Sequence, residues 1–190
     1  MHTRRTLLGF VILLAIALAG CSDSNDTATT SPAGNDDYAG IDLDAETIIK
    51  LAEHPNIIGL KDSSGNVAKI GTICHELGSA FQVLAGSAGF LLPALSVGAI
   101  GGALALANIA PPYCIEIYRL YLEGKNKEAR ELQGSMIPVN TAVTAKWGVP
   151  ALKAAMDFLG LYGGPVRLPL QPISPDIQKQ LDAILLAGEL

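Results

Sequence analysis

Short apolar runs of strand length alternate with longer amphipathic segments of helix length through most of this sequence. The clearest runs cover residues 57–61, 81–86 and 100–107. Runs of this length that are rich in aliphatic side chains and bounded by polar or glycine residues are typical of buried strands. Strands separated by helices pair in parallel, because each helix returns the chain to the same end of the sheet. The alternation therefore predicts an α/β fold in which helices cover a parallel sheet.

Helix-length segments lie between these runs and after the last of them. Asp44 can cap a helix over residues 45–53, and the segments 67–77 and 90–97 separate the predicted strands. The later part of the sequence is predicted to be helical throughout. Its helices are residues 112–122, a segment capped by Asn126, a segment that begins at Thr144 or beyond, and a terminal helix opened by Ser174 and Pro175 with Ile177, Leu181, Ile184 and Leu185 on its buried side.

Lys61 ends the first predicted strand and is followed at once by the polar residues 62–66. Alternate side chains of a strand share a face, so Lys61 lies on the same face as Ile57 and Gly59. We therefore expect its amine to be carried on an apolar face, beside a glycine that leaves room. Burial disfavours the charged form of a lysine, and a neutral amine can attack a ketone to form a Schiff base. The alternative is a strand-end lysine whose ammonium group reaches solvent.

The run from His54 to Asn66 resembles the Schiff-base strand of the dihydrodipicolinate synthase and N-acetylneuraminate lyase family. That family comprises pyruvate-dependent class I aldolases built on a (β/α)8 barrel. Within it, residues 41–190 look most like the 4-hydroxy-2-oxoglutarate aldolase branch. The other matching segments follow in the same order: residues 83–90, residues 98–102 with Ala107 and Asn108, residues 148–153, and residues 163–170.

The resemblance assigns roles to a few residues of this sequence. Lys61 matches the Schiff-base lysine, and Ser63 and Gly86 match positions that line the substrate pocket after their strands. Asn108, at the end of the third predicted strand, is a further candidate for substrate binding. A structural interpretation competes for two of them, since Ser63 or Ser64 can cap the next helix and Gly86 can serve a tight turn.

Other polar and sulfur-containing side chains are interpreted as structural. Asp62 is predicted to be a turn residue, and His54 and His75 to be structural or solvated. Cys74 and Cys114 lie in apolar helical segments and are predicted to be buried free thiols. No spacing of histidines and cysteines indicates a metal site, and no glycine cluster fits a nucleotide-binding fingerprint. No cofactor is therefore predicted beyond the covalent Schiff base.

The resemblance covers only the last three strands of the barrel and its carboxy-terminal helices. The family's carboxylate-binding loop and its proton-relaying tyrosine have no matching motif here, and Tyr38 does not match that tyrosine. The resemblance therefore implies a partial (β/α)8 TIM barrel. It also implies a homo-oligomer or association with a complementary barrel half.

The amino end resembles a bacterial lipoprotein signal peptide. Arg4 and Arg5 precede the uncharged apolar segment 7–19, and residues 18–21 have the form of a lipobox that ends at Cys21. A basic region followed by so short an apolar segment is typical of a secretory signal rather than a spanning helix. Cys21 is therefore the predicted lipidation site. The alternative is an uncleaved amino-terminal anchor, and both interpretations place the chain at a membrane surface.

Three segments follow from this interpretation. Residues 1–20 form the signal peptide, residues 21–40 form a flexible linker rich in small polar side chains, and residues 41–190 form the globular part. The predicted location is the periplasmic or extracytoplasmic face of a membrane. The cytoplasm is the alternative if the leader is an error of the gene model.

The charge pattern bears on whether the chain is a nucleic-acid-binding protein or a membrane-spanning protein. The chain carries 13 lysine and arginine residues against 18 aspartate and glutamate residues, a formal net charge of −5 at pH 7. This balance argues against nucleic-acid binding. Residues 91–110 carry no charge and could be scored as a membrane span, but Pro93, Gly101, Gly102 and Asn108 divide them into shorter pieces. Buried parallel strands are themselves continuously apolar.

Three functions are compatible with these features. The first is a Schiff-base lyase acting on a small 2-oxo acid, most like the enzyme that cleaves 4-hydroxy-2-oxoglutarate to pyruvate and glyoxylate. One alternative is a catalytically inactive, membrane-anchored family fragment or binding lipoprotein. A second alternative is a condensation like that of dihydrodipicolinate synthase.

Overall fold

The computed structural model of the protein describes residues 42–190. The predicted signal peptide, the predicted linker and Cys21 lie outside the described residues. The described strands are β1 (Gly59–Asp62), β2 (Gln82–Ala85) and β3 (Gly101–Gly102). The α-helices are α1 (Ala45–Leu51), α2 (Val67–Leu77), α3 (Leu91–Ser96), α4 (Pro111–Leu122), α5 (Asn126–Thr141), α6 (Gly148–Phe158) and α7 (Pro175–Ala187). Short 3-10 helices cover Gly78–Ala80, Ala88–Phe90 and Ala105–Asn108, and a π-helical turn covers Ala142–Lys146.

The strands form one parallel sheet in the order β1-β2-β3. The register pairs Leu60 with Val83 and Asp62 with Ala85. Helix α2 connects β1 to β2, and helix α3 connects β2 to β3, so each connection is a strand-helix-strand unit. The α/β class and the parallel pairing predicted from the alternation are confirmed.

Strand β3 is much shorter than predicted. The sequence predicts a strand over residues 100–107, but only Gly101–Gly102 pair as a strand, and a 3-10 helix follows at Ala105–Asn108. Two consecutive glycines have no side chains to pack and weaken a strand. The side chain of Leu104 packs against Gly102, and a Cβ added at Gly102 would lie only 2.6 Å from that side chain. The prediction that Asn108 ends a strand is wrong, because this residue ends the 3-10 helix.

One apolar core lies between the sheet and helices α1 to α4. Strand β2 contributes Val83 and Ala85, which are fully buried. Helix α2 contributes Ile70 and Ile73, which lie one turn apart on the same face and have no exposed surface. Ile117 of α4 completes the core. The apolar stripe of each helix therefore faces one side of the sheet.

A second apolar core joins helices α4 to α7. The terminal helix α7 places Leu181 and Leu185 in this core with no exposed surface, and its Ile177 and Ile184 are half-buried. Val139 of α5 is buried in the same cluster. The buried side predicted for the terminal helix is therefore confirmed, and this helix anchors the carboxy-terminal part of the fold.

Helices long and apolar enough to cross a membrane do not occur among residues 42–190. The uncharged stretch 91–110 is divided in the structure among α3, β3 and the 3-10 helix that follows β3. Cys74 is half-buried and Cys114 is buried, and both are free thiols as predicted. Burial raises the pKa of each of these thiols above its ordinary value.

Candidate active site

Lys61 lies in β1, opposite Leu84 of β2. Paired residues of parallel strands share a face, so Lys61 and Leu84 project from the face opposite to Asp62 and Ala85. Asp62 and Ala85 are buried beneath the helices, whereas Lys61 is exposed. The expectation of a buried amine is therefore wrong for the described part of the chain, because its helices cover the other face of the sheet.

Asp62 is the polar centre at the carboxyl end of β1. One oxygen of its carboxylate, Oδ1, accepts hydrogen bonds from the backbone N–H of Ser64 at 3.0 Å and from the Ser64 hydroxyl at 2.7 Å. A carboxylate that accepts from the residue two positions further on closes an Asx turn. The geometry agrees with the prediction that Asp62 is a turn residue, and the turn carries Ser63 at its tip.

Lys69, in the first turn of α2, pairs with two carboxylates. Its Nζ lies 2.6 Å from Asp42 Oδ1 and 3.1 Å from Asp62 Oδ2. The side chains of Lys69 and Asp62 are only 8% and 4% exposed, so this pair is shielded from water. Burial alone would lower the pKa of the Lys69 ammonium. The hydrogen bonds and charges of Asp42 and Asp62 outweigh that effect and raise the pKa above its ordinary value.

Asn66, rather than Ser63 or Ser64, caps helix α2. The Oδ1 of Asn66 accepts a hydrogen bond from the backbone N–H of Lys69 at 3.0 Å. The hydroxyl of Ser64 accepts from the backbone N–H of Asn66 at 3.2 Å and so supports the turn before the helix. Ser63 is half-buried at the end of β1. The capping role proposed for Ser63 or Ser64 is therefore wrong, and Ser63 is retained as a candidate site residue.

Gly86 brings the ends of β1 and β2 into direct contact. Its backbone N–H donates a hydrogen bond to the carbonyl oxygen of Asp62 at 2.6 Å. A Cβ at this position would lie 2.8 Å from that oxygen and from the Cα of Ser63, and would overlap the Ser63 hydroxyl. Only glycine fits this close backbone approach. The geometry supports a structural need for Gly86 and places it beside Ser63.

We predict that Gly86→Ala destabilises the protein by about 1–3 kcal/mol, since the added methyl group forces the strand ends apart. Chemical denaturation of the full-length chain measures this effect. Gly134→Ala is the matched control, because Gly134 lies exposed in α5 with no neighbouring atom within 4 Å of an added Cβ. There the same methyl group is expected to stabilise by about 1 kcal/mol. Equal changes in both variants would contradict the close approach at Gly86.

The carboxyl end of β1 borders an open cavity of about 230 Å3. Lys61 and Ser63 line it together with the Asp62–Lys69 pair, whereas Asn108 does not. The Nδ2 of Asn108 donates to the carbonyl oxygen of Ala105 at 2.9 Å, within its own 3-10 helix. The fold thus brings Lys61, Ser63 and Gly86 to one end of the sheet and leaves Asn108 outside this group.

Two buried amides on α5 were missed by the sequence reasoning. The Oε1 of Gln133 accepts from the backbone N–H of Leu92 at 2.6 Å, and the Nδ2 of Asn140 donates to the Ser87 hydroxyl at 3.1 Å. Gln133 and Asn140 are seven residues apart, so they lie on the same face of the helix. They hold the loop between β2 and α3 and the first turn of α3. The signal was their helical spacing among apolar residues.

A parallel sheet covered by helices, with candidate site residues at the carboxyl ends of its strands, is the architecture of the active face of a (β/α)8 barrel enzyme. Comparison with protein families identifies the family to which this barrel belongs. The chain belongs to the dihydrodipicolinate synthetase family, which it matches over residues 35–187. Among the described residues, the fold is part of such a barrel.

Curated relatives and solved structures agree with this family. The chain is 34% identical to 4-hydroxy-tetrahydrodipicolinate synthase 1 of Halalkalibacterium halodurans, over 76% of this chain and 49% of the relative. It resembles the lysine-bound dihydrodipicolinate synthase of Cyanidioschyzon merolae with a TM-score of 0.74 and 31% identity, over 80% of this chain and 51% of that one. The pyruvate complex of the chloride-inhibited Acinetobacter baumannii enzyme gives a TM-score of 0.73 and 27% identity, over 79% and 52% of the two chains.

The chain spans about half the length of the curated relatives it matches. These relatives are named as 4-hydroxy-tetrahydrodipicolinate synthases. These names fit the second alternative, a condensation, better than they fit the cleavage of 4-hydroxy-2-oxoglutarate. Membership of the family is therefore confirmed. The names of the relatives do not by themselves assign one of the two reactions to this chain.

Proposed function

We propose that this chain supplies the Schiff-base lysine of a pyruvate-dependent carbon–carbon bond-forming enzyme of the dihydrodipicolinate synthase type. The observation that carries this proposal is the position of Lys61 on the uncovered face of the sheet. Ser63 and Gly86 lie next to it at the carboxyl ends of β1 and β2. Barrel enzymes place their chemistry at this end of the sheet. The pyruvate complex of the Acinetobacter baumannii relative supports pyruvate as the first substrate.

The proposed chemistry begins at the Nζ of Lys61. The neutral amine adds to C2 of pyruvate, and the carbinolamine loses water to give an imine. Loss of a methyl proton from the imine gives an enamine, whose carbon attacks the carbonyl carbon of an aldehyde. Hydrolysis then releases the product and restores the lysine. The imine serves as the electron sink, which is also what cleavage of a 4-hydroxy-2-oxo acid would require in the reverse direction.

A complementary set of β/α units is the proposed partner. In the described sheet, β1 and β3 are each paired on one side only. Ile58, beside β1, is 51% exposed, and Ile100, beside β3, is 48% exposed. Unpaired strand edges with exposed aliphatic side chains recruit further strands. Additional units would cover the face that carries Lys61 and supply groups that bind the substrate carboxylate and move protons.

Reductive trapping tests this function directly. Pyruvate and borohydride are added to the full-length chain, alone and after mixing with the amino-terminal half of a related barrel, and the adduct is mapped by peptide mass spectrometry. An adduct on Lys61 is expected. A mixture that condenses pyruvate with an aldehyde supports the synthase, one that only cleaves 4-hydroxy-2-oxoglutarate supports the aldolase, and no adduct at Lys61 in either sample contradicts both.

We also propose that the chain is anchored to a membrane through lipid on Cys21, because residues 18–21 have the form of a lipobox. The full-length precursor is expected to be processed at Cys21 and to enter the membrane fraction. Cys21→Ser is expected to abolish acylation and to shift the protein to the soluble fraction. Intact mass and fractionation measure both effects, and an unacylated wild type in the soluble fraction would rule out the anchor.

A further inference from the structure

Lys69 occupies a position that local helix energetics disfavour. It lies in the first turn of α2, where the cap residue Asn66 accepts from its backbone N–H. The amino end of a helix carries partial positive charge, so a cation in the first turn is unfavourable there. No acidic residue lies in this turn to compensate. A local conflict of this kind indicates that a contact outside the helix selects the residue.

Lys69 pairs outside the helix with Asp42 and Asp62, and Asp62 is the partner at the carboxyl end of β1. Two different oxygens of the Asp62 carboxylate are used: Oδ2 pairs with Lys69 at 3.1 Å, and Oδ1 accepts both hydrogen bonds from Ser64. The backbone oxygen of Asp62 accepts from Gly86. Asp62 therefore links helix α2, the turn that carries Ser63, and the end of β2. With a side chain only 4% exposed, it depends on these partners rather than on water.

We propose that Lys69 is a positioning residue for the candidate active site. Through Asp62 it holds the turn that carries Ser63 and fixes the backbone next to Lys61, so that the Lys61 amine meets a 2-oxo acid in a productive direction. This inference rests on the proposed Schiff-base function.

Removing the Lys69 ammonium leaves the buried carboxylate of Asp62 without its cation. A buried, uncompensated charge is strongly unfavourable, and the simplest relief is for the turn to open toward water. Opening would break the Ser64 hydrogen bonds and release Ser63 from Gly86. Lys61 would stay in the sheet, but Ser63, which lines the same cavity, would no longer be held in place beside it.

Lys69→Met tests the proposal in the full-length chain, alone and mixed with the amino-terminal half of a related barrel. Pyruvate trapping at Lys61 is measured at several pyruvate concentrations to give a half-saturating concentration and a limiting rate. Small losses of geometry at a reacting centre reduce rates strongly, so trapping efficiency is expected to fall about tenfold or more. The half-saturating concentration is expected to rise. Lys69→Arg should recover part of the efficiency, because it keeps a cation near both carboxylates.

Lys127→Met is the matched control, since Lys127 makes an exposed pair with Glu131 at 3.9 Å and is expected to change nothing. The double variant Asp62→Asn/Lys69→Met removes both charges and keeps a side-chain oxygen that can accept from Ser64. It should recover most of the efficiency that Lys69→Met loses, because no buried charge is left unpaired. Asp42 also loses its lysine, but its side chain is 47% exposed and is solvated by water. This recovery would show that the Asp62–Lys69 pair acts as a unit.

The outcomes separate three cases. A higher half-saturating concentration in Lys69→Met, reversed in the double variant, supports the positioning role. An unchanged half-saturating concentration, with an amount of adduct that only follows the folded fraction in denaturation curves, overturns it and leaves a structural ion pair. Failure of the wild type to trap pyruvate at Lys61, both alone and with the amino-terminal half of a related barrel, overturns the proposed function, and the positioning role with it.

Discussion

Replacing Lys61 with arginine is expected to abolish the borohydride-stable pyruvate adduct of the full-length chain. Arginine keeps the positive charge and much of the length of the side chain, but its guanidinium group stays protonated and cannot form an imine. The substitution should leave the fold intact, since Lys61 is exposed and projects from the uncovered face of the sheet. Intact mass should show the reduced pyruvate adduct on the wild type and none on the variant.

Surface lysines provide the internal control for this experiment. Lys125 and Lys127 are exposed, with 51% and 76% of their side chains accessible, and neither lines the cavity that Lys61 borders. Chemical trapping without a site would label them as readily as Lys61. Peptide mapping should therefore find the adduct at residue 61 alone. Labelling spread evenly over the three lysines, or retained in the Lys61→Arg variant, would contradict a built site.

The helices were predictable because their signals are local. Asp44 accepts from the backbone N–H of Thr47 at 2.7 Å, and Ser174 accepts from that of Ile177 at 3.3 Å, so two of the three predicted caps are present. The prediction that Asn126 caps a helix is wrong, because Asn126 is the first residue of α5 and the cap residue Lys125 makes no side-chain cap hydrogen bond. A cap is a contact over three residues and can be recognised in the sequence alone. The helical spacing of Leu181 and Leu185 is local in the same sense.

The length of β3 was not predictable from its apolar character. The run 100–107 is continuous in hydrophobicity, and such runs fit a buried strand or a buried turn equally well. What ends the strand is the packing of Leu104 against the space left by Gly102, together with the 3-10 helix that follows. The periodicity of apolar residues does not reveal a packing contact of this kind.

The parts of the site that the sequence did not reveal are contacts between distant residues. Lys69 pairs with Asp42 across 27 positions, and Asn140 bonds to Ser87 across 53 positions. Each of these residues departs from the usual helix pattern, one as a lysine in a first turn and the other as an amide on an apolar face. The sequence does not show which distant residue is its partner. The exposure of Lys61 likewise depends on which face of the sheet the helices cover.

The second prediction concerns how the chain assembles when no partner is present. Expressed alone, the full-length protein is expected to form oligomers or aggregates with negligible condensation or cleavage activity. The described sheet has strands β1 and β3 paired on one side only, and its Lys61 face is open. Apolar burial contributes about 25 cal/mol per Å2, and a whole domain keeps a margin of only about 5–15 kcal/mol. Leaving one face of a barrel sheet unpacked removes contacts comparable to that margin.

Addition of the amino-terminal half of a related barrel should supply strands for both edges and restore part of the activity. Size-exclusion chromatography with light scattering and a coupled assay for pyruvate consumption measure assembly and activity separately. The Lys61→Arg chain is the control, because it should assemble with the same half and stay inactive. Assembly without activity in the wild type would point to a binding fragment rather than an enzyme. A monodisperse monomer that unfolds cooperatively and turns over pyruvate without any added half would contradict the need for a partner, because its open sheet face and unpaired edges would then carry no cost.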